Sequence, residues 1–306
     1  MLTRRPQTIN READEKSLLH SRCPVSVLIP AKNEEANIVQ ALKSVAWADE
    51  VWVVDSGSSD RTEELAREYG ARVIQFQYVG SGPKKKNWSL ENLPFNNDWV
   101  LILDADERIP AALADEVRVA IGGEFDGYYI NRECVFLGRA LRCFGPNWNL
   151  RLFRHRLGRY ELLATNAPNT GDNEVHEHIV LRGRAGYLRG RLVNEDRRPL
   201  HAWVENHNRY SDWEAEVYQR FLNEPLNIRE ILTSERVWRR RILKRIWLRL
   251  PFRPLARFTL FYLYRRGFLD GWQGFAYAIL MGYYEFLIGL KLRERRSAPT
   301  NGSSSA

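Results

Sequence analysis

Apolar positions change period as the chain proceeds. Residues 25–30 (VSVLIP), 50–55 (EVWVVD), 71–76 (ARVIQF) and 99–106 (WVLILDAD) contain short, nearly continuous runs of Val, Ile and Leu. Such runs predict strands buried on both faces. Between them, residues 34–47 place Ile38, Leu42 and Val45 at helical spacing. Residues 60–70 predict a second helix, capped by Asp60 at its start and Gly70 at its end. Strands alternating with short helices predict an α/β fold, a parallel sheet covered on both sides. Residues 128–200 read as shorter strands and loops rich in Gly, Asn and Arg. From His201 the pattern turns helical, with Trp203, His207, Tyr210 and Trp213 along one stripe.

The last third has a different texture. Trp238, Ile242, Ile246 and Leu250 form an i, i+4 stripe opposite Arg240, Arg241, Lys244 and Arg245. That composition predicts a helix lying in a membrane interface. Residues 236–266 hold eleven Arg or Lys and no acid, so the rest of a chain with formal charge +8 is net acidic. A local basic patch calls for a local anionic partner. Further on, the longest uncharged stretch is residues 271–284. At that length it falls short of the ~20 residues a spanning helix needs. The expectation is therefore of helices seated in or against a bilayer rather than crossing it.

Sheets of this type bind ligands at the carboxyl ends of their strands, and there the sequence places acids. Glu34 lies just past the first strand, Asp55 closes the second, and Asp104 and Asp106 close the fourth. Clustered carboxylates repel one another unless a cation or a donor-rich ligand joins them. Asp-x-Asp after a strand offers two hard oxygen ligands, which suits Mg²⁺ or Mn²⁺ with positions left open for diphosphate oxygens. Asp55 can accept from the N–H of a pyrimidine ring. Lys84, Lys85 and Lys86 follow Gly80-Ser81-Gly82-Pro83, a flexible basic stretch suited to phosphate. Trp148 and Arg151 offer an aromatic and cationic floor for an acceptor, packing in the core being the alternative for the tryptophan.

VSVLIPAKNEEANI, EVWVVDSGSSDRT, GPKKKNWSL and WVLILDADERI resemble the donor-site motifs of family-2 inverting glycosyltransferases. The resemblance covers residues 24–215 and extends to the branch with a Val-His-Glu motif, here Val175-His176-Glu177, which builds lipopolysaccharide cores and other bacterial surface glycans. It implies the GT-A fold, a Rossmann-like mixed sheet flanked by helices. It implies that Pro30, Ala31, Glu34, Asp55, Lys84, Asp104 and Ala105 hold a nucleotide sugar, by default of uridine diphosphate. Asp106 with Asp104 would hold the metal. Glu177 would be the base and His176 its neighbour. The family more commonly has a Glu-Asp pair there, so Asp172 and Glu174 remain rivals for the base. The implied acceptor is a membrane-linked glycan or lipid, and the implied place is the cytoplasmic face of the inner membrane, peripherally bound.

The expected organisation is a loose tail over 1–22, a catalytic unit over 23–215 divided at 127/128, a basic aromatic helical region over 216–296, and a polar end over 297–306. Residues 1–20 carry no apolar h-region, so no secretory signal is expected. Three cysteines without CxxC spacing argue against a disulfide framework or structural zinc. IPAKNEE stands where a dinucleotide-binding GxGxxG would follow the first strand. The alternative function is nucleic-acid binding by the Arg-rich segment. It leaves the acidic cluster unused and sets those acids against a polyanion.

Overall fold

The computed structural model describes residues 22–79, 83–161, 178–223 and 246–297. Its first half winds as the apolar pattern predicts. Strand β1 (Cys23–Ala31) leads through helix α1 (Ile38–Ser44) to β2 (Ala48–Asp55). Helix α2 (Thr62–Glu68), β3 (Arg72–Gln75), α3 (Lys85–Asn92) and β4 (Trp99–Ile102) follow. These four strands are parallel, in the order β3-β2-β1-β4. The register sets Ala31 beside Asp55 and Leu28 beside Ile102. Thus the chain segments holding Glu34, Asp55 and Asp104 leave the sheet at one end.

Beyond β4 come β5 (Glu107–Arg108), helix α4 (Ala111–Ala120), β6 (Gly127–Phe136) and the short β7 (Arg139–Ala140). Then follow β8 (Trp148–Arg154), β9 (Gly158–Tyr160), β10 (Ile179–Leu181) and β11 (Ala185–Asn194). Antiparallel β8 joins β4 to β6, β11 pairs parallel with β6, and β5 closes the edge against β11. The result is the mixed sheet flanked by helices that the family resemblance implies. Strand alternation sorts its core into two layers. Val25, Val27 and Ile29 pack with Ile38, Leu42, Ala66, Leu113 and Val117 on one face. Leu28, Val54, Val100 and Ile102 pack with Leu90, Leu93 and Phe153 on the other. Each such buried side chain contributes about 1.5–3 kcal/mol.

Two helix starts differ from expectation. Residues 34–37 form a turn, in which Asn37 N and Ile38 N donate to Glu34 O, so α1 begins four residues later than its apolar spacing suggests. The turn frees the Glu34 carboxylate to face its neighbours. At α2, Asp60 accepts from Thr62 N (3.0 Å) and from Glu35 N (3.1 Å), so it secures the first helix's approach as well as the second's start.

Helix α5 (Leu200–Asn223) continues unbroken through the expected boundary at 215/216. The tail contains helix α6 (Arg253–Thr259), a π turn (Leu260–Tyr264), a 3-10 turn (Gly267–Asp270) and helix α7 (Gly271–Ser297). Most of the predicted basic stripe, Trp238 and Ile242 included, lies outside the described residues. Here the sequence reading needs correction. Where the uncharged stretch 271–284 alone falls short of a span, residues 271–297 form one helix of 27 residues. By length and composition it is able to cross a membrane. The interrupting charge, Glu285, does not break it because the acid turns inward. Glu285 is 1% exposed and pairs with Arg257 (2.8 Å) and Arg253 (3.5 Å).

Glu285→Ala would leave two half-sequestered guanidinium groups without their carboxylate. The expected cost is about 2 kcal/mol or more, since stripping one partner from a buried pair strands the other charge. Urea denaturation followed by circular dichroism checks it; an unchanged midpoint would show the pair to be dispensable.

Candidate active site

The acids at the carboxyl end of the sheet are held there by arginines and lysines from distant parts of the chain. Arg151, on β8, reaches under the Asp104–Asp106 loop. Its Nη2 lies 2.7 Å from Asp104 Oδ2 and 2.7 Å from Glu107 Oε1. Glu107 is fully buried and also accepts from Asp104 N at 3.0 Å. Lys86 Nζ, from the first turn of α3, donates to Asp104 Oδ1 at 3.0 Å. Burial opposes the Asp104 charge, but Arg151 and Lys86 outweigh it and hold the carboxyl well below its usual range.

Asp106 is in a different position. Burial pushes its carboxyl upward, the Asp104 charge adds to that, and Arg132 with a hydrogen bond from Asn194 only partly offsets them. Among the described residues no Lys, Arg or His nitrogen lies within 4 Å of it to form an ion pair. This acid gains most from a cation brought from outside. Glu34 follows the same logic. Its carboxyl is pushed up to about 7 by burial, with Arg198 opposing and Asp106 and Asp196 adding to the rise. Arg198 Nη1 stands 3.0 Å from Glu34 Oε1 and Nη2 2.7 Å from Asp196 Oδ2.

Asn37 fastens the two halves together. Its Nδ2 donates to Glu34 Oε2 (2.8 Å) and Asp196 Oδ1 (3.0 Å), while its Oδ1 accepts from Arg197 N (2.9 Å). The loop after β1 and the loop after β11 thereby meet across the Asp104–Asp106 turn, where Glu195 N also donates to Asp106 O at 2.9 Å.

These groups line a cavity of about 450 Å³. Pro30, Glu34, Asp104, Ala105, Asp106, Lys85 and Lys86 are on one side. Arg132, Asn194, Asp196 and Arg198 continue the polar wall, and Trp203, His207, Tyr210 and Tyr277 supply aromatic surface. The His207 ring stacks on Trp203 at 3.5 Å between centroids. Its Nδ1 meets the Trp203 carbonyl at 2.8 Å, and burial lowers its pKa. The imidazole is accordingly neutral, with Nδ1–H donating.

Several predicted residues fall elsewhere. Arg151 is no acceptor floor: the acids of the Asp104 loop draw its guanidinium into the interior. Trp148 is 39% exposed and packs edge-on against Tyr187 at 5.2 Å, away from the cavity lining. Lys84 turns toward Trp213, its Nζ 6.0 Å from the ring, and Lys85 and Lys86 line the cavity instead. Lys85 Nζ donates to Ala31 O at 2.9 Å and so braces the end of β1. The buried Asp55 carboxylate accepts from Ser58 N and Oγ and from Gln75 Nε2, and lies behind the lining. His176, Glu177, Asp172 and Glu174 are outside the described residues. Sequence reasoning missed Glu107, Arg132, Asp196 and Arg198. An acid directly after Asp-x-Asp and an Asp-Arg-Arg-Pro run at a strand end were the available signals.

The donor set fits a divalent cation. Asp106 and Asp104 present oxygens at one turn, and the former lacks a compensating charge. Among the described residues no three His, Cys, Asp or Glu side chains form a closed cage. A metal here would therefore need oxygens from a ligand, as Mg²⁺ and Mn²⁺ sites at phosphates do.

Residues 26–172 match the family model described as glycosyl transferase family 2. Over 283 residues the chain is 28% identical to an uncharacterized glycosyltransferase of Rickettsia typhi, spanning 88% of this chain and 87% of that protein. It is 27% identical over 285 residues to the lipopolysaccharide core biosynthesis glycosyltransferase LpsC of Rhizobium meliloti, spanning 90% and 94%. Among solved structures it is similar to a mannosyltransferase from Pyrobaculum calidifontis in complex with GDP-Man and Mn²⁺. That likeness has 17% identity, 90% and 89% coverage and a TM-score of 0.48.

A raised carboxylate pKa stabilises the fold below the unfolded value, and that stability is lost as pH climbs through the folded one. Glu34→Gln should therefore stabilise the metal-free protein above pH 7. The gain should be about 3 kcal/mol, since the rise from 4.5 to about 7 spans between two and three tenfold changes in proton affinity, each worth about 1.4 kcal/mol. It should shrink toward pH 4.5. Thermal melts at pH 8 and pH 5 measure it, and equal differences at both would contradict the burial argument.

Proposed function

With residues 26–172 forming a family-2 glycosyltransferase domain, we propose that the chain transfers a hexosyl group from a uridine diphosphate sugar. The acceptor would be a membrane-linked glycan or lipid in bacterial surface-polysaccharide or lipopolysaccharide synthesis. The observation that carries this reading is Asp106, a half-buried carboxylate whose charge Arg132 only partly offsets, beside Asp104 and lining a cavity that also holds Lys86 and Arg132. Such a pairing of acid and base suits a ligand that arrives as a metal–diphosphate rather than a bare anion.

Asp106, with Asp104, would hold Mg²⁺ or Mn²⁺, which when bound supplies Lewis-acid charge to the leaving diphosphate. The chain's own groups do the rest. Lys85, Lys86 and Arg132 attract the phosphates, and Pro30 and Glu34 border the nucleoside end. The Trp203–His207 stack and Tyr210 offer apolar faces to an acceptor sugar. A sugar hydroxyl is a weak nucleophile, so a carboxylate takes its proton as the oxygen attacks C1. Glu177 is the proposed base, with His176 beside it. In one displacement the C1–O bond to the diphosphate breaks as the new glycosidic bond forms. The anomeric centre inverts, and an α-linked donor gives a β product. Acidic Glu34, Asp104, Asp106 and Asp196 around one cavity argue against a nucleic-acid ligand there, since they repel a polyanion. Likeness to LpsC, named for lipopolysaccharide core biosynthesis, along nearly the full chain supports a lipopolysaccharide-type acceptor, and the proposed place is the cytoplasmic face of the inner membrane.

Asp106→Ala should lower metal-dependent sugar transfer by on the order of 10³-fold, a size typical for loss of one key electrostatic group, with the melting profile preserved. Undiminished turnover would overturn the metal assignment. Glu177→Gln should bind uridine diphosphate with Mn²⁺ as the unaltered chain does by calorimetry, yet fail to transfer. Survival of transfer would move the base to Asp172 or Glu174.

A further inference from the structure

Helix α7 has two unlike faces. Toward the protein it buries Gly274, Tyr277, Ala278, Gly282, Glu285, Ile288 and Leu292. Away from it, Trp272 (63% exposed), Phe275, Ile279, Tyr283, Phe286 and Leu290 stand in solvent. Their spacing of three or four residues makes one straight stripe. From Trp272 to Leu290 it runs about 27 Å at 1.5 Å per residue. Helix α6 and the turns after it widen the stripe with exposed Phe252, Leu255, Leu263 and Tyr264. So large a contiguous apolar surface on a folded protein marks a site of association.

The charges around it restrict the partner. Exposed Arg266 stands at one end, and exposed Arg293 and Arg296 outnumber exposed Glu294 at the other. Beside the stripe runs a groove of about 810 Å³, lined by Phe252, Phe286 and Leu290 together with Arg249, Arg253, Arg293 and Arg296. Glu285 is the one acid lining it among the described residues, and that acid is already paired. A second copy of the chain would set arginines against arginines. An anionic phospholipid leaflet meets both demands, with acyl chains for the stripe and phosphates for the rim.

We propose that the exposed α6–α7 face docks the protein on an anionic phospholipid leaflet, with α7 lying flat in the interface although it is long enough to cross. Crossing is opposed by its inner face. Lys291 pairs with Asp212 of α5 at 2.8 Å, and Arg295 approaches Glu216 at 3.8 Å. A spanning α7 would carry Glu285 into hydrocarbon and pull Lys291 and Arg295 away from their partners on α5. The proposal deepens the membrane-linked reading of the acceptor. It is independent of the donor-site chemistry.

The test is flotation of the full chain with vesicles of phosphatidylcholine alone or with a third phosphatidylglycerol. The chain should float with the anionic vesicles, more weakly as salt rises. Trp272→Glu combined with Phe286→Glu should reduce partitioning at least tenfold. Both side chains are solvent-facing, so the melting profile should be unchanged, and uridine diphosphate binding should persist. Loss of nucleotide binding in the unaltered chain would instead count against the donor reading. Undiminished flotation of the double variant overturns the docking face. So does a dimer that the variant converts to monomer in the absence of lipid binding by the unaltered chain. The three native cysteines are buried, so a fluorophore can be placed singly by Tyr264→Cys or Arg296→Cys. Dithionite added outside the vesicles should bleach both positions; protection of one refutes the flat orientation.

Discussion

The acidic end of the sheet depends above all on one buried guanidinium, with Lys86 and Arg198 completing the set. Four carboxyl groups, at Glu34, Asp104, Asp106 and Glu107, cannot gather at one strand end without a counter-charge, because each ionised neighbour raises the cost of the next. Arg151 comes from the antiparallel strand that neighbours β4 and places one nitrogen 2.7 Å from both Asp104 and Glu107. Removing two ions from water is costly, and the cost is met only where geometry and additional hydrogen bonds are good. Here Glu107 completes the arrangement by accepting from the Asp104 amide. The loop carrying Asp106 is thereby fixed, while Asp106 itself is left with charge to share.

The parallel half of the sheet was legible because its signals are local. Four apolar runs, three of them followed by acids, place Glu34, Asp55 and Asp104 at one end whatever else the chain does. Role was less legible than place. Arg151 sits among aromatic and polar residues in FGPNWNLRLFR, and nothing in that string says which charge it will meet. Its partner is set by the pairing of β8 with β4, in which Leu152 lies opposite Leu101. Arg198 and Asp196 lie some 160 residues from Glu34, and only the β6–β11 crossover brings them to it. The lysine triplet shows the remaining limit. Composition marks the segment as basic, but the helix start decides its use: Lys85 and Lys86 lie inside it and line the cavity, while Lys84, extended just before it, turns toward Trp213. The run over 271–284 reads as too short to span for a related reason, since a charge such as Glu285 counts as an interruption only while its partner is unknown.

The tail is joined to the catalytic unit by specific contacts as well as by apolar packing. Phe136, Leu141 and Cys143 form one cluster with Phe261, Tyr277 and Ala278. Asp270 accepts from the Cys143 amide at 3.0 Å, and the Arg265 guanidinium donates to the carbonyls of Cys143 and Phe144. On the other side, Trp213 and Tyr218 of α5 pack with Tyr284, Ile288 and Leu292. The expected division at 215/216 therefore passes through a helix and an uninterrupted core.

Tyr277 is the place where this joining reaches the cavity, as the one residue of α7 in its lining. The helix thus has two faces, Tyr277 toward the cavity and the exposed apolar stripe away from it. Drift on one face would alter what the cavity admits, and drift on the other would alter what the protein rests upon. A recombination that exchanged the tail between relatives would transmit both traits at once. On the reading proposed above, the preference for an acceptor and the surface on which it is met would be inherited as a linked pair.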